Sequence, residues 1–159
     1  MIIKAPNRIV KEGRKPTVFL AGSIEMGTAE NWQEIIAKEY GVRCTILNPR
    51  RDDWDSSWNQ IYEDKNFRDQ VIWEQTGIGN ADFVLFYFDK NTKSPITLLE
   101  FGQCIGLGKK MMVCCPTEFW RYGNIEIMCH LYSIPLYNNL AEMIIDFNDV
   151  LTRRHFCNT

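Results

Sequence analysis

Residues 83–88, FVLFYF, limit the possible folds of this chain more than any other segment. Six consecutive apolar or aromatic residues leave no polar face on an extended strand, so other parts of the protein must cover both of its faces. A strand buried on both faces is typical of the centre of a parallel sheet with helices on either side. The segment therefore predicts an α/β fold.

The rest of the chain alternates short apolar runs with helical patterns. Apolar runs predict four further strands, over residues 17–21, 44–47, 111–115 and 134–137. Apolar residues at helical spacing predict helices over residues 28–40, 66–76, 96–107, 124–132 and 140–153. The alternation predicts a single doubly wound domain with a five-stranded parallel sheet, helices on both faces and an irregular arm over residues 1–15.

Cap residues support two of these helices. Thr28 suits the N-cap of the first helix. Ser94 suits the N-cap of the third, with Pro95 at its first position and Gly108 just past its end.

Size, charge and hydropathy restrict the possible partners. The length of 159 residues suits one domain, and 18 basic against 20 acidic residues give a net charge of −2. This charge argues against a nucleic acid polymer or an anionic membrane as the main partner. No apolar run approaches the ~20 residues of a membrane span, and residues 1–15 contain no apolar leader, so we expect a cytoplasmic protein.

The cysteine pattern bears on cofactors. The six cysteines form no C-x-x-C pair and mostly lie in apolar runs, which is typical of buried thiols in a reducing compartment. A zinc site needs clustered ligands, and the chain has only two histidines. We expect neither a metal nor an organic cofactor.

In doubly wound folds, ligands bind beyond the carboxyl ends of the strands. The first such loop, AGSIEMG, makes Gly22, Ser23 and Ile24 candidate ligand contacts. Glycine permits close approach of a ligand to the backbone, and backbone N–H groups there can hold an anion. The alternative interpretation is a plain tight turn.

The second such loop, residues 48–58, is NPRRDDWDSSW. Arginine can bind a phosphate or carboxylate with two hydrogen bonds, and tryptophan offers a face on which a base can stack. The candidate ligand contacts here are Asn48, Arg50, Arg51, Asp52 and Trp54. The alternative is a solvated charged loop whose tryptophans pack on the core.

Glu100 is the strongest candidate for catalysis. It follows Ser94-Pro95 in the second turn of a predicted helix whose other residues are mostly apolar. A buried carboxylate is costly unless it is paired or hydrogen-bonded, so its presence calls for a reason. A carboxylate at the edge of the sheet can attack an anomeric carbon and form a glycosyl ester. The alternative is a structural Glu bonded to nearby backbone.

Two further acidic residues are candidates. Glu74, on the helix before residue 83, can protonate or orient a leaving base, although a solvent-facing helix residue is the alternative. Asp89 follows the central strand and is a candidate ligand contact.

The chain resembles the nucleoside 2-deoxyribosyltransferase-like family from about residue 18 to residue 137. The resemblance rests on the order and spacing of five segments, FLAGSI, NPRRDDW, WEQ…NADFVLFYF, SPITLLEFG…GKK and FWRYGN. Related enzymes include deoxyribosyltransferases and 2′-deoxynucleoside 5′-phosphate N-hydrolases. The resemblance implies a flavodoxin-like sheet and a deoxynucleoside or deoxynucleotide substrate.

The resemblance also implies residue roles. Glu100, in EFG followed by Gly108-Lys109, matches the nucleophile that takes deoxyribose as a covalent intermediate. Glu74 is implied to contact the base or assist its departure, and Gly22 and Ser23 match the loop that surrounds the substrate. Asn124 fits an asparagine that reaches a neighbouring subunit's sugar pocket, which implies a homo-oligomer.

Two positions depart from the family pattern. Transferases carry a tyrosine at the position of Phe19, and its hydroxyl contacts the nucleophile. Many members carry an aspartate at the position of Ser94, six residues before the nucleophile. A serine there favours a 5′-phosphate, with Arg50 or Arg51 assisting.

Three functions follow from this sequence. The first is an enzyme that cleaves or exchanges the N-glycosidic bond of a 2′-deoxynucleoside or its 5′-monophosphate. The second, favoured by the two departures, is a nucleotide-binding or sensor protein without turnover on the same scaffold. The third is a structural or assembly role.

Overall fold

The computed structural model describes residues 1–24 and 31–156, with side chains described up to residue 153. In this part of the chain a parallel sheet lies between two layers of helices, which confirms the predicted α/β fold. The strands are β1 (Ile2–Lys4), β2 (Thr17–Gly22), β3 (Thr45–Asn48), β4 (Phe83–Tyr87), β5 (Met111–Cys114) and β6 (Leu136–Tyr137). The helices are α1 (Trp32–Tyr40), α2 (Lys65–Asn80), α3 (Pro95–Gly106), α4 (Tyr122–Leu131) and α5 (Leu140–Phe156).

The strand order places β2 and β4 at the centre of the sheet. The order is β1-β3-β2-β4-β5-β6, and every neighbouring pair is parallel. Apart from β1, this is the 2-1-3-4-5 order of flavodoxin-like folds. From β2 the chain first adds β3 on one side and then β4 on the other side, so the strand order reverses between β2 and β4. The carboxyl ends of these two strands therefore border the crevice where such folds bind ligands.

The sheet has six strands in the described residues, not the five predicted. The additional strand, β1, lies in the arm that was predicted to be irregular. It pairs with β3 in the register Ile3↔Leu47, and Ile3 is buried. Three residues are too few to show a period of alternation, so the sequence pattern could not reveal this strand.

Each face of the sheet has its own apolar layer. Helices α2, α3 and α4 cover one face, where Phe86, Phe88 and Phe101 form a cluster of rings. Helices α1 and α5 cover the other face, where Tyr40 packs edge-on against Phe147. Burial on both faces explains why β4 has no polar residue.

Several predicted helix boundaries were wrong. Helix α1 begins at Trp32, with Asn31 at its N-cap position, and the predicted cap Thr28 lies outside the described residues. Helix α4 begins at Tyr122, two residues before the predicted start. Helix α2 continues to Asn80, four residues past the predicted end, and passes through two glycines.

Close packing explains one of the glycines in α2. A Cβ atom on Gly77 would lie 2.7 Å from two ring carbons of Phe19, which is fully buried. The glycine therefore lets α2 approach β2 closely. The helix continues through Gly77 to Asn80 and does not end at the glycine.

Candidate functional site

A buried cluster of hydroxyl groups joins the loops that follow the two central strands. The Ser23 Oγ lies 2.9 Å from the Thr92 Oγ1 and is also hydrogen-bonded to the Ser94 hydroxyl. The Thr92 Oγ1 lies 2.7 Å from the Ser94 Oγ. All three residues of this hydroxyl cluster are at most 4% exposed. Ser23, which directly follows β2, is thereby joined to the segment that leads into α3.

Asp89 closes this cluster from the end of β4. Its backbone N–H donates to the Ser23 Oγ at 3.0 Å, and its carbonyl accepts from the Thr92 Oγ1 at 2.9 Å. Its carboxylate accepts from the Asn91 N–H at 2.8 Å. Asp89, a predicted ligand contact, therefore holds its own turn with one carboxylate oxygen.

Ser94 does not cap α3 as predicted. It occupies the N-cap position, but its backbone is left-handed (φ 49°), and its hydroxyl makes no capping hydrogen bond. The hydroxyl is committed to Ser23 and Thr92 instead. The correction has a physical reason, because a capping side chain requires an extended backbone at the N-cap.

Glu100 lies on α3 with a carboxyl group that is almost entirely buried. The residue is 6% exposed, and no hydrogen bond joins its carboxylate to any described residue. Burial, with a smaller contribution from the charge of Glu74, raises the pKa of Glu100 to about 8. The group is therefore mostly protonated at neutral pH in the free protein, and it is not held by described backbone atoms.

Glu74 provides a second carboxyl group on the same side of the sheet. It is half-buried on α2, and its Oε1 accepts from the Gln70 Nε2 at 2.8 Å. Burial raises the pKa of Glu74, and the hydrogen bond from Gln70 opposes this rise. Helices α2 and α3 also meet through a 2.6 Å hydrogen bond from Gln103 to Gln75. The structure thus places Glu74 and Glu100 on adjacent helices, where the charge of one affects the other.

Gln70 is a buried residue beside these carboxyl groups that the sequence analysis did not identify. It is 4% exposed, and its Nε2 donates both to Glu74 and to the Pro49 carbonyl, the latter at 3.0 Å. Its Oε1 is buried and has no hydrogen-bond partner in the described part of the chain. The sequence did carry a signal, because Gln70 precedes Glu74 by four residues and so shares its helix face.

In the loop after β3, Arg50 differs from its neighbour Arg51. The Arg50 Nη1 is buried and has no hydrogen-bond partner among the described residues. Arg51 donates two hydrogen bonds to Asp53, at 2.8 and 2.7 Å, and stacks over Trp58. Asn48 is buried, and its Oδ1 accepts from the Arg50 backbone N–H at 2.9 Å. The Arg50 Nη1 thus remains without a described partner, whereas Arg51 is engaged within the loop.

Two other candidates of this loop lie at its surface. The Asp52 carboxylate is paired with Lys4 at 2.8 Å. Trp54 is 43% exposed and packs edge-on against Trp58 at a centroid distance of 5.0 Å. The predicted contacts in this loop therefore do not converge on one point.

Three predicted contacts remain, Gly22, Ile24 and Asn124. Gly22 lies at the end of β2, where a Cβ atom would be 2.5 Å from the Tyr87 carbonyl oxygen and 2.7 Å from the Trp32 ring. Ile24 is half-buried and directly precedes residues 25–30, which lie outside the described residues. Asn124 is exposed on α4, and no described hydrogen bond links it to the hydroxyl cluster.

Two surface hollows are lined by neither Glu74 nor Glu100. One, of about 590 Å³, lies beyond the carboxyl ends of β4 and β5, with Asp89, Glu118 and Asn139 among its lining residues. The other, of about 320 Å³, lies between α2 and the N-terminal arm and is lined partly by Arg8 and Trp73.

The described side chains contain no group of three or more His, Cys, Asp or Glu residues arranged to hold a metal ion. Five of the six cysteines are described, and all five are buried free thiols. Among the described helices, none has the length and apolar character needed to cross a membrane.

Comparisons with known proteins identify the family of this chain. A search among curated proteins gives no match. A family model described as nucleoside 2-deoxyribosyltransferase like matches residues 15–119, well over half of the chain. The matched range runs from just before β2 to just after β5 and includes the hydroxyl cluster, Glu74 and Glu100. The chain therefore belongs to the nucleoside 2-deoxyribosyltransferase-like family.

Proposed function

We propose that this protein cleaves, or exchanges the base at, the N-glycosidic bond of a 2′-deoxynucleoside or its 5′-monophosphate, with Glu100 as the nucleophile. The observation that carries the proposal is a buried carboxyl group without a described hydrogen-bond partner, next to a second carboxyl group near the central crevice of the sheet. A buried acid of this kind is costly to keep, and perturbed carboxyl pairs are typical of catalytic sites.

The two carboxyl groups share one proton in the active form. Two close carboxylates in a poorly solvated site repel each other, so one stays protonated near neutral pH. In the free protein the proton is on Glu100, because Gln70 stabilises the Glu74 anion. Developing positive charge at the anomeric carbon favours an ionised Glu100, and the proton then passes to Glu74.

The chemical steps follow from this distribution. A Glu100 oxygen forms a bond to C1′, and the C1′–N bond breaks with its electron pair remaining on the base nitrogen. Glu74 supplies a proton to the departing base. Water or a second base, losing a proton to Glu74, then attacks C1′ and releases the Glu100 carboxylate.

A 5′-phosphate is accommodated by Arg50. Its buried Nη1 lacks a described partner, whereas Arg51 is paired with Asp53. Arginine is well suited to phosphate because its planar fork matches the phosphate oxygens. Ser94, where many family members carry an aspartate, removes a negative charge that would repel the phosphate.

The test of this function is direct. Incubation of the purified chain with deoxynucleosides and their 5′-monophosphates, followed by chromatography, should release free base or produce an exchanged nucleoside. Glu100→Gln should abolish release, while the matched variant Glu63→Gln, at an exposed position before α2, should retain it. No release from any substrate by the folded protein, or full activity in Glu100→Gln, would contradict the proposal.

A partner subunit completes the site in this proposal. Asn124 is exposed on α4, close in sequence to Ile127 and Leu131, which are 59% and 67% exposed. We expect a homo-oligomer in which Asn124 reaches a neighbouring sugar pocket. Mixing inactive Asn124→Ala with inactive Glu100→Gln subunits should restore part of the activity, since some sites then combine intact residues from both. A monomer in sedimentation analysis would refute this arrangement.

Phe19 favours a second function, nucleotide binding without turnover. It is fully buried against Trp73 and offers no hydroxyl group to Glu100. Calorimetry separates the two functions, because tight nucleotide binding without any base release identifies a sensor or sequestering protein.

A further inference from the structure

We infer that Gln70 selects the base, with its amide oxygen accepting a hydrogen bond from the exocyclic amino group of adenine or cytosine. The inference rests on the proposed function, which places the leaving base beside Glu74. It assigns a specificity role to a residue outside the two glutamates and the loop contacts.

The orientation of the Gln70 amide is fixed by its neighbours. Its Nε2 lies 3.0 Å from the Pro49 carbonyl oxygen, which can only accept a hydrogen bond. Its second N–H bonds the Glu74 Oε1 at 2.8 Å. Both amide hydrogens are therefore used, and rotating the amide by half a turn would bring two carbonyl oxygens together. The Oε1 atom must be the group left over.

This oxygen is an unusual feature of a folded interior. Gln70 is 4% exposed, and the Oε1 has no partner within residues 1–24 and 31–156. Buried acceptors without a partner are uncommon because each loses its hydrogen bonds to water. An acceptor kept in this state beside a candidate site is explained if a ligand supplies the missing donor.

The position of Gln70 matches the outer edge of a base. Gln70 and Glu74 share one face of α2 and are joined by a 2.8 Å hydrogen bond, and α2 meets α3, the helix of Glu100, through the hydrogen bond from Gln103 to Gln75. In the proposed function the base leaves beside Glu74, so its outer edge comes within reach of the neighbouring Gln70. Adenine and cytosine carry an amino group at the edge far from the glycosidic nitrogen, whereas guanine and thymine carry a carbonyl oxygen there. A carbonyl oxygen would face the Gln70 Oε1 with no hydrogen between them.

The test compares ligands that differ only in this amino group. Calorimetry on Glu100→Gln, which prevents turnover, measures 2′-deoxyadenosine against purine 2′-deoxyriboside and 2′-deoxycytidine against 2-pyrimidinone 2′-deoxyriboside, each also as its 5′-monophosphate. We expect the amino-bearing member of at least one pair to bind about 10- to 100-fold more tightly. Adding Gln70→Met, which removes the acceptor, should bring that ratio close to one.

A matched control separates selectivity from structural damage. Gln75→Met removes the neighbouring amide of the same helix, whose partner is Gln103. It should leave the ratio unchanged, and circular dichroism checks the fold of each variant. The first measurement, the affinity ratio within each ligand pair, is made on a chain with Gln70 intact. It therefore does not depend on whether a Gln70 variant folds.

The outcomes distinguish this inference from the proposed function. Equal binding within both pairs, or a ratio that persists in Gln70→Met, overturns the inference even if the protein releases base. A ratio that disappears in Gln70→Met supports the inference even if the chain with Glu100 intact releases no base. Absence of binding by all the ligands overturns both.

Discussion

Replacing Glu100 with glutamine should make the folded protein more stable at high pH while abolishing its chemistry. In the folded state burial raises the pKa of Glu100 from 4.5 to about 8. In the unfolded chain the same carboxyl group is solvated and ionises near its ordinary pKa. Glutamine has nearly the same shape and never ionises, so it removes the cost of the buried charge.

The sign and size of the effect follow from proton linkage. Below about pH 4.5 the group is protonated in both states and contributes nothing. Between about pH 4.5 and 8 the folded protein holds the proton more tightly, so the free energy of unfolding falls as the pH rises. One pH unit within this window corresponds to about 1.4 kcal/mol, and the whole shift to roughly 3–5 kcal/mol. Above pH 8 the penalty is constant.

Urea denaturation at pH 5, 6, 7, 8 and 9 measures this effect. The variant should match the original chain within about 1 kcal/mol at pH 5 and exceed it by roughly 3 kcal/mol or more at pH 9. Glu63→Gln, at an exposed position, should leave the pH profile unchanged. A difference between Glu100→Gln and the original chain that is the same at every pH would show that the carboxyl group is not buried as described.

Three further predictions address the pair and its surroundings. Base release should decline above about pH 8, because the Glu74–Glu100 pair then loses its last proton. The Glu74→Gln variant should release base more slowly and should not show this decline. A rate that rises through pH 8 in the original chain would contradict the shared proton. Gly77→Ala should lower the free energy of unfolding by about 1–3 kcal/mol in urea denaturation, because its Cβ would meet the Phe19 ring. Gly79→Ala, with open space around it, should raise the free energy of unfolding by about 0.5–1 kcal/mol. Equal effects of the two substitutions would contradict the packing of Gly77 on Phe19. Ser94→Ala should lower the melting temperature more than Ser133→Ala, at the other described non-glycine residue with positive φ, because only Ser94 loses hydrogen bonds to Ser23 and Thr92; equal shifts would show that the hydroxyl cluster contributes little.

The elements with strong periodic signals were predictable from sequence. The run that became β4 and the helix containing Glu100 were placed within a residue or two, because burial on both faces and a Pro at the first helical turn are local signals. The strand β1 was missed because its stability comes from pairing with β3, a contact more than 40 residues away along the chain. The length of α2 was underestimated because Gly77 serves a tertiary contact with Phe19.

The site was predictable as a set of loops and only partly as a set of contacts. Glu100 stood out because a carboxylate among apolar helix positions demands a reason, and the structure confirms its burial. The sequence could not predict that Arg51 is paired and the Arg50 Nη1 is not, since this depends on which guanidinium group hydrogen-bonds Asp53 in the folded loop. Gln70 was missed because glutamine is ordinary in a helix and its spacing of four residues from Glu74 is a weak signal, whereas the missing partner of its oxygen is visible only in the structure.

The hydroxyl cluster explains how a short polar segment can position Glu100. A left-handed backbone at Ser94 costs about 1–2 kcal/mol for a residue other than glycine, so the chain must compensate for it. The compensation comes from hydrogen bonds to Ser23 and Thr92, which also join the end of β2 to the start of α3. Since α3 begins at the next residue, the direction of its first turns is set by this junction, and Glu100 is carried by those turns. The residues that hold the proposed nucleophile in place are therefore the hydroxyls at the carboxyl ends of the two central strands, and a family member with an aspartate at position 94 must fix that junction by a different set of hydrogen bonds.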